Sequence, residues 1–444
     1  MRSSAWSFAA IAVAVGLSLL IVHPAPSYDP LAWLLWGREV AGGALDTREG
    51  PAFKPLPVGV GAVLAPTGTA APWLWIAVVR AAAVVCLWLA FRIARRLAGG
   101  SRVAGALAAV GVALCGGFLG TAAAGAETPL LLALALGGVE AWRRDRFGLV
   151  LACAIGCSLV RVEAVPFAAL AGAVLWRRQP GLRPALVAAG VLVPAAWILP
   201  ELVGSGDPLR SADRARVPNP GQPALADVPS LAALEDAVRL PLWCLWIGLV
   251  PLVLRARGAF ARAALAPAAV GLAWLLLVAV MAEVGFSGEA RYSLPGAALV
   301  AISGAIGLAV GVRGRVMATV AVALVAVAAV ARLDTLSVVR ERQAYQWTLA
   351  ADLRDAIRTA GGRDAVLECG RPYVGPLRGP LLAYWLEVRK RDVEPDDPPR
   401  APGVVFRSAI AAGEPADPPV PGGFARVSRS GTWETWRACA VRDP

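Results

Sequence analysis

The sequence predicts an α-helical polytopic membrane protein, with about eleven transmembrane helices over 1–331 and a small α/β domain over 332–444. Three observations carry this. Of the 444 residues, 57% are hydrophobic, above the share usual for soluble domains. Several charge-free runs reach roughly the 17–25 residues that cross a bilayer core. Beyond residue 331 the runs stop, and charge and proline rise.

The runs place spans at roughly 5–23, 72–91, 103–120, 128–142, 147–160, 163–176, 184–202, 239–254, 263–283, 294–312 and 315–331. The first begins after Arg2 and no A-x-A-like cleavage site follows it cleanly, so it reads as a retained span rather than a signal peptide. The fifth and sixth are short. Two helices rather than one keep Arg143, Arg144 and Arg146 on the same side as Arg177 and Arg178. Arg92, Arg95, Arg96 and Arg102, then Arg183, then Arg255, Arg257 and Arg262, then Arg313 and Arg315 fall on that side too. An excess of basic loop residues marks the cytoplasmic face, so the N-terminus is expected inside and the C-terminal domain outside. Topology therefore explains the net charge of +12 better than nucleic-acid binding does, and no nucleic-acid partner is expected.

In the tail, Arg340–Ala360 reads as helix, Ala365–Cys369 as strand, Leu381–Val388 as helix and Val404–Ile410 as strand. Phe424–Ser428 and Thr432–Arg437 form a hairpin around Ser430-Gly431. Val393–Pro402 and Glu414–Gly423 are proline-rich and irregular. Five of the seven cysteines lie in apolar runs and read as small core residues. Cys369 and Cys439 lie in the tail, where an oxidising compartment would allow a disulfide.

Every unusual polar element falls on the outer face. The first outer loop, between Ser27 and Pro57, holds Asp29, Arg38, Glu39, Asp46, Glu49 and Lys54. Asp29-Pro30 opens a short helix that ends at Gly42-Gly43, which is ordinary helix punctuation. Trp33 and Trp36 lie on the face of Asp29 and suit a helix resting on the membrane surface. Glu127-Thr128-Pro129 repeats the pattern of an acid before a helix start. It reads either as a charge favoured by the helix dipole or as a second functional carboxylate, because a charge at that depth is costly. Arg161 and Glu163 interrupt the fifth and sixth runs, as an intramembrane ion pair or with Arg161 as a phosphate ligand. Arg80, inside the second span, is open in the same way. Arg291 and Tyr292 in the last outer loop can bind phosphate oxygen, while Tyr292 also fits an interfacial anchor. Lys54 sits on a backbone stiffened by Pro51, Pro55 and Pro57. Asp207 and Asp213, in the long 203–238 loop, read as structural. His23 is the single histidine, which leaves no His-based triad or His-rich metal site. No phosphate-cradling glycine motif stands in a strand–helix context.

These motifs resemble the actinobacterial-type membrane glycosyltransferases of the GT-C fold, the polyprenyl-phosphate-sugar-dependent mannosyl- and arabinofuranosyltransferases. The resemblance rests on Tyr28-Asp29-Pro30 with the Trp-Gly-Arg-Glu helix, Phe53-Lys54-Pro55-Leu56-Pro57, Gly125-Ala-Glu127-Thr-Pro129, Arg161-Val-Glu163 and Gly288-Glu-Ala-Arg291-Tyr292, over roughly the first 300 residues. Val162 departs from the Arg-Pro-Glu form of that break. The resemblance implies a GT-C-like catalytic domain with Asp29 as base or metal ligand, supported by Glu127. Lys54 and Arg291 would hold the donor phosphate, with Tyr292 and Arg161 beside them. Glu39, Asp46 and Glu163 are secondary candidates. Asp29 and Glu127 are also the pair that would share a divalent cation, Mg or Mn.

The expected activity is sugar transfer from a polyprenyl-phosphate donor to a glycan, lipid or protein hydroxyl at the outer face of the cytoplasmic membrane, in building the cell envelope. The rival reading is a lipid-linked sugar flippase or transporter without transferase activity. Transporters carry polar features toward both faces, whereas here they gather on one.

Overall fold

The computed structural model describes residues 2–255, 257–311, 315–393 and 398–440. Proline and glycine punctuation sets where its helices begin and turn. Helix α1 (Arg2–Ile21) leads through a proline-containing turn into α2 (Tyr28–Ala41), which closes at Gly42. Pro55 opens α3 (Pro55–Leu64), and Pro72 lies in the first turn of the long α4 (Ala71–Leu97). Then come α5 (Arg102–Ala113), α6 (Phe118–Ala124), α7 (Thr128–Trp142), α8 (Phe147–Val160), α9 (Val165–Arg178) and α10 (Arg183–Ser205). The long 203–238 segment carries α11 (Arg210–Ala215) and α12 (Pro229–Val238). It leads to α13 (Trp243–Ile247), α14 (Val250–Val253), α15 (Ala259–Glu283), α16 (Ala290–Gly311) and α17 (Arg315–Val330).

Each expected span coincides with one of these helices or a bent pair of them. Among the described residues four helices are long and apolar enough to cross, or seven if each bent pair is one span. The chain breaks several apolar runs: α5 and α6 meet at 62°, and α12 and the α13–α14 segment at 95°. An apolar run sets composition, not straightness. Burial separates the crossings, with 83% of the apolar window of α16 inside the protein against 6% for α10. Helix α16 is the central post, packed through Leu294, Ala301 and Ile302 against Val112 of α5 and Leu245 of α13. Arg313, in the last basic loop, lies outside the described residues.

The C-terminal segment starts with α18 (Leu333–Thr359) and α19 (Gly362–Cys369). Strand β1 (Arg371–Val374), helix α20 (Gly379–Trp385) and strands β2 (Gly403–Ala409), β3 (Ala416–Asp417), β4 (Ala425–Ser430) and β5 (Trp433–Ala438) follow. The sheet order is β1-β2-β5-β4, with β3 on β2. Strands β1 and β2 are parallel across the α20 crossover, while β2–β5 and β4–β5 are antiparallel. The hairpin and β2 lie where the sequence places them. The expected strand at 365–369 is instead the end of α19, and the true strand starts two residues later, after Gly370. A short apolar run does not by itself distinguish the two states. Cys369 and Cys439 are disulfide-bonded and tie α19 to the end of the sheet. Residues 394–397 of the first proline-rich stretch lie outside the described residues.

Helix α2 is the structural surprise. Leu31 and Leu35 enter the core of the C-terminal segment with Leu353, Leu382, Phe406 and Trp433. Trp33 and Trp36 enter a second core with Phe53, Val58 and Trp75. The expectation that these tryptophans rest on the membrane surface is thereby corrected: Trp33 is 1% and Trp36 0% exposed. A helix apolar on every side is a buried helix. Its crossing with α3 is so close that a Cβ on Gly37 would lie 2.3 Å from the Gly61 carbonyl carbon. Only glycine permits that approach.

Candidate active site

Five separate stretches of chain converge beside the start of α2. Gly125 takes a left-handed conformation, φ 78°, and its carbonyl accepts from Trp75 Nε1 at 2.8 Å. This turn sets Glu127 at the head of α7. Glu127 makes no side-chain capping bond. Its Oε1 accepts instead from Lys54 Nζ and, at 2.6 Å, from Arg161 Nη2. Arg161 also donates from Nη1 to Glu163 Oε1 at 3.2 Å, and its guanidinium lies 4.3 Å from the centre of the Tyr292 ring. Arg291 donates to Tyr292 Oη at 3.3 Å, to Glu289 Oε2 at 2.6 Å and to Asp29 Oδ2 at 3.0 Å. Lys54 Nζ sits 5.2 Å over the Trp33 ring. The structure thus joins Asp29, Lys54, Glu127, Arg161, Glu163, Arg291 and Tyr292 in one continuous network.

Burial makes the network consequential. Glu127 and Arg161 are each 2% exposed, and charges at such depth persist only when paired. Burial alone would push the Glu127 carboxyl up. The Lys54 and Arg161 cations beside it outweigh that and hold it well below the usual carboxylate range. Asp29 lies in the first turn of α2 behind Ser27, which takes the N-cap position, so the Asp29 side chain is not spent on capping.

A cavity of about 330 Å³ opens onto this network. Lys54, Arg161, Glu163 and Tyr292 lie at its polar end, and Trp197, Leu209, Val278 and Met281 along its apolar walls. The 203–238 loop covers it with α11, held by the Asp207 turn. Two buried donors on residues that line it, Arg161 Nε and Ser287 Oγ, have no partner among the described residues. Unpaired buried donors are costly, and together they suit an anionic, oxygen-rich group.

Other predicted residues serve the frame. Glu39 Oε2 accepts from the Asp46 backbone, and burial pushes the Glu39 carboxyl up to about 7. The Asp46 carboxylate is held by Arg48 and by Arg391 of the C-terminal segment at 3.1 Å. Neither belongs to the converging network. Arg80 donates to the carbonyls of Ser18 and Val22 at the end of α1, a capping role that resolves its ambiguity. His23 stacks on Trp347, with ring centres 5.5 Å apart. Cys153 and Cys157 are free and buried.

Sequence reasoning missed Glu201, which is fully buried and accepts from Thr47 at 2.6 Å, Arg210 at 3.2 Å and Ser211. It fastens the first loop and α11 to the end of α10. The one signal was an acid closing an apolar run after Pro200.

The expected divalent cation does not suit this donor set. Such ions take six or more oxygen ligands, whereas Asp29 and Glu127 are already bound by three cationic side chains. No cluster of three or more His, Cys, Asp or Glu residues suited to a metal occurs among the described residues.

No family model matches the sequence, and no curated protein matches it. Two solved structures do match: ArnT from Cupriavidus metallidurans bound to undecaprenyl phosphate, with a TM-score of 0.58, and its apo state, with 0.54. Identity is 14% in both comparisons, and each covers 98% of both chains. The chain has the fold of ArnT. At that identity the likeness establishes the fold alone, and it reaches across the C-terminal segment as well as the helices.

Proposed function

We propose that the chain transfers a sugar from a polyprenyl-phosphate donor to an acceptor hydroxyl at the outer face of the cytoplasmic membrane. One observation carries the reading. An apolar-walled cavity ends in two cations, Lys54 and Arg161, bridged by Glu127, and Arg291 joins them from behind through Tyr292. A lipid phosphate has that polarity, with an anionic head and a long apolar tail. The likeness to a structure that holds undecaprenyl phosphate supports the same ligand class. We read 1–331 as the catalytic membrane domain and 332–444 as an extracytoplasmic domain, an orientation favoured by the Cys369–Cys439 bond and by the basic loops opposite.

The acceptor oxygen attacks the anomeric carbon from the face opposite the phosphate. The new carbon–oxygen bond forms as the bond to the phosphate oxygen breaks, its electron pair leaves on the lipid phosphate, and the configuration inverts. Asp29 takes the acceptor's proton. Lys54 and Arg161 stabilise charge growing on the leaving phosphate, where preorganised cations give the larger effect. Glu127 is a positioning residue that keeps both cations in place. In the resting pair Arg291 donates to Asp29. An arriving phosphate competes for Arg291 and so frees the carboxylate. No step requires a metal.

The test is transfer from a labelled polyprenyl-phosphate sugar by purified Asp29→Asn protein. Near-normal turnover would sink Asp29 as the base, and donor crossing vesicles without any transfer by the wild type would replace this reading with transport.

A further inference from the structure

A second, smaller cleft lies where the residues around the start of α2 meet the C-terminal segment. Ser27, Tyr28, Trp73, Trp347, Arg378 and Trp385 line it. We propose that this cleft is a carbohydrate-binding subsite that receives a sugar ring of the acceptor. The proposal rests on the transferase reading and adds to it the acceptor's class and its direction of approach.

Its shape argues for a ring laid across the cleft rather than a molecule enclosed in it. The enclosed part is about 50 Å³, room for only one or two water-sized groups. The walls around it are broad aromatic surfaces. Trp73 is 49% exposed, with its ring centre 5.2 Å from that of Trp347, and the Arg354 guanidinium lies 4.8 Å from the centre of the Trp385 ring. Flat apolar faces with a few converging polar groups recognise a ligand that is apolar on its faces and oxygen-rich at its edge.

The polar groups carry the argument. Arg378 is 6% exposed and uses its terminal nitrogens on Gln346 and the carbonyls of Ala409 and Ile410. Its Nε–H has no partner among the described residues, and neither has Trp385 Nε1–H. Aromatic packing that merely pinned the C-terminal segment to the membrane helices would account for the stacked rings. It would not account for two buried donors lining one cleft, each costly to leave unpaired. Hydroxyl or carboxylate oxygens at the edge of a sugar would satisfy them.

Position completes the inference. Tyr28 lines this cleft and is followed directly by Asp29, while Tyr292, hydrogen-bonded into the network, lines the larger cavity. Asp29 is thus tied to the smaller cleft by its place directly after Tyr28 and to the larger cavity through Arg291 and Tyr292.

The test uses the full chain in phosphatidylglycerol nanodiscs. The protein is probed on an array of bacterial oligosaccharides, and the strongest array ligand is then titrated by tryptophan fluorescence. Binding of undecaprenyl phosphate is measured in parallel. The expected result is saturable glycan binding, weakened about tenfold or more by Trp73→Ala and by Trp385→Phe, which removes the N–H but keeps a ring. Undecaprenyl phosphate binding stays unchanged in both variants. Absence of binding to every arrayed glycan overturns the proposal, as does equal binding by both variants, which would leave the aromatic cluster as a pin. Glycan binding of the expected kind without undecaprenyl phosphate binding would support the subsite while removing the donor reading.

Discussion

Arg291 donates from Nη1 to Asp29 Oδ2 at 3.0 Å across 262 residues of sequence, so the start of α16 holds the acid at the start of α2. The same guanidinium also reaches Glu289 and Tyr292, which makes its planar fork, and not only its charge, part of the site. Arg291→Lys is therefore expected to keep donor affinity within about tenfold while turnover falls further, and Arg291→Gln to weaken both. Separate kcat and KM values for the labelled donor check this; equal behaviour of the two variants would remove the fork from the account.

Glu127 is the counter-charge for Lys54 and Arg161 in a site closed to solvent. Removing it leaves two buried cations facing each other. Glu127→Gln is expected to cost about 3–5 kcal/mol of stability, seen as a lower thermal melting point in detergent. Because the folded carboxyl is held below its ordinary value, its contribution is present above pH ~4.5 and is lost only as pH falls through the depressed value. The wild-type protein should thus show no loss from this group between about pH 5 and 9.

Glu39 behaves oppositely. Its folded value near 7 lies above the ordinary 4.5, so its contribution is complete below about pH 4.5 and is lost as pH rises through 7. Glu39→Gln keeps an acceptor for the Asp46 N–H and cannot ionise. Stability measured by melting should fall less between pH 5 and pH 8 in the variant than in the wild type, by a difference on the order of 1 kcal/mol after solvent screening. Parallel pH dependence in the two proteins would refute the assignment.

The Cys369–Cys439 bond closes a separation of 70 residues. Reduction, or the double change to serine, is expected to cost about 2–5 kcal/mol. Peptide mapping under non-reducing conditions tests the bond, and thiol labelling of reduced intact cells with an impermeant reagent tests the side of the membrane.

Helix positions were legible because a charge-free run of membrane length has few other uses. The acids and cations of the site were legible because each interrupts such a run, where charge is expensive: Glu127 before Pro129, Arg161 between two short spans, Arg291 at the head of α16. Their pairing was not, since ion pairs between Asp29 and Arg291 or Lys54 and Glu127 leave no local pattern. The surroundings of α2 were misread for a physical reason. Trp33 and Trp36 at helical spacing suit a lipid surface and a protein core equally, and the partners that decide lie elsewhere in the chain, Trp75 in α4 and Tyr384 in the tail. Glu201 was hidden at the end of an apolar run, and the helix at 362–369 was mistaken for strand because a few apolar residues carry no period.

Helix α2 contributes to two cores at once, with Leu31 and Leu35 on the C-terminal side and Trp33 and Trp36 on the other. Arg38 adds hydrogen bonds to the carbonyls of Tyr384 and Val388. A chain truncated at the end of the helical region would accordingly not be a minimal enzyme, because it would lack one wall of the helix that carries Asp29. The same coupling makes the C-terminal segment a handle for inhibition. An antibody fragment or macrocycle that levers α20 away from α2 would shift the helix that carries Asp29 without entering the cavity beside it.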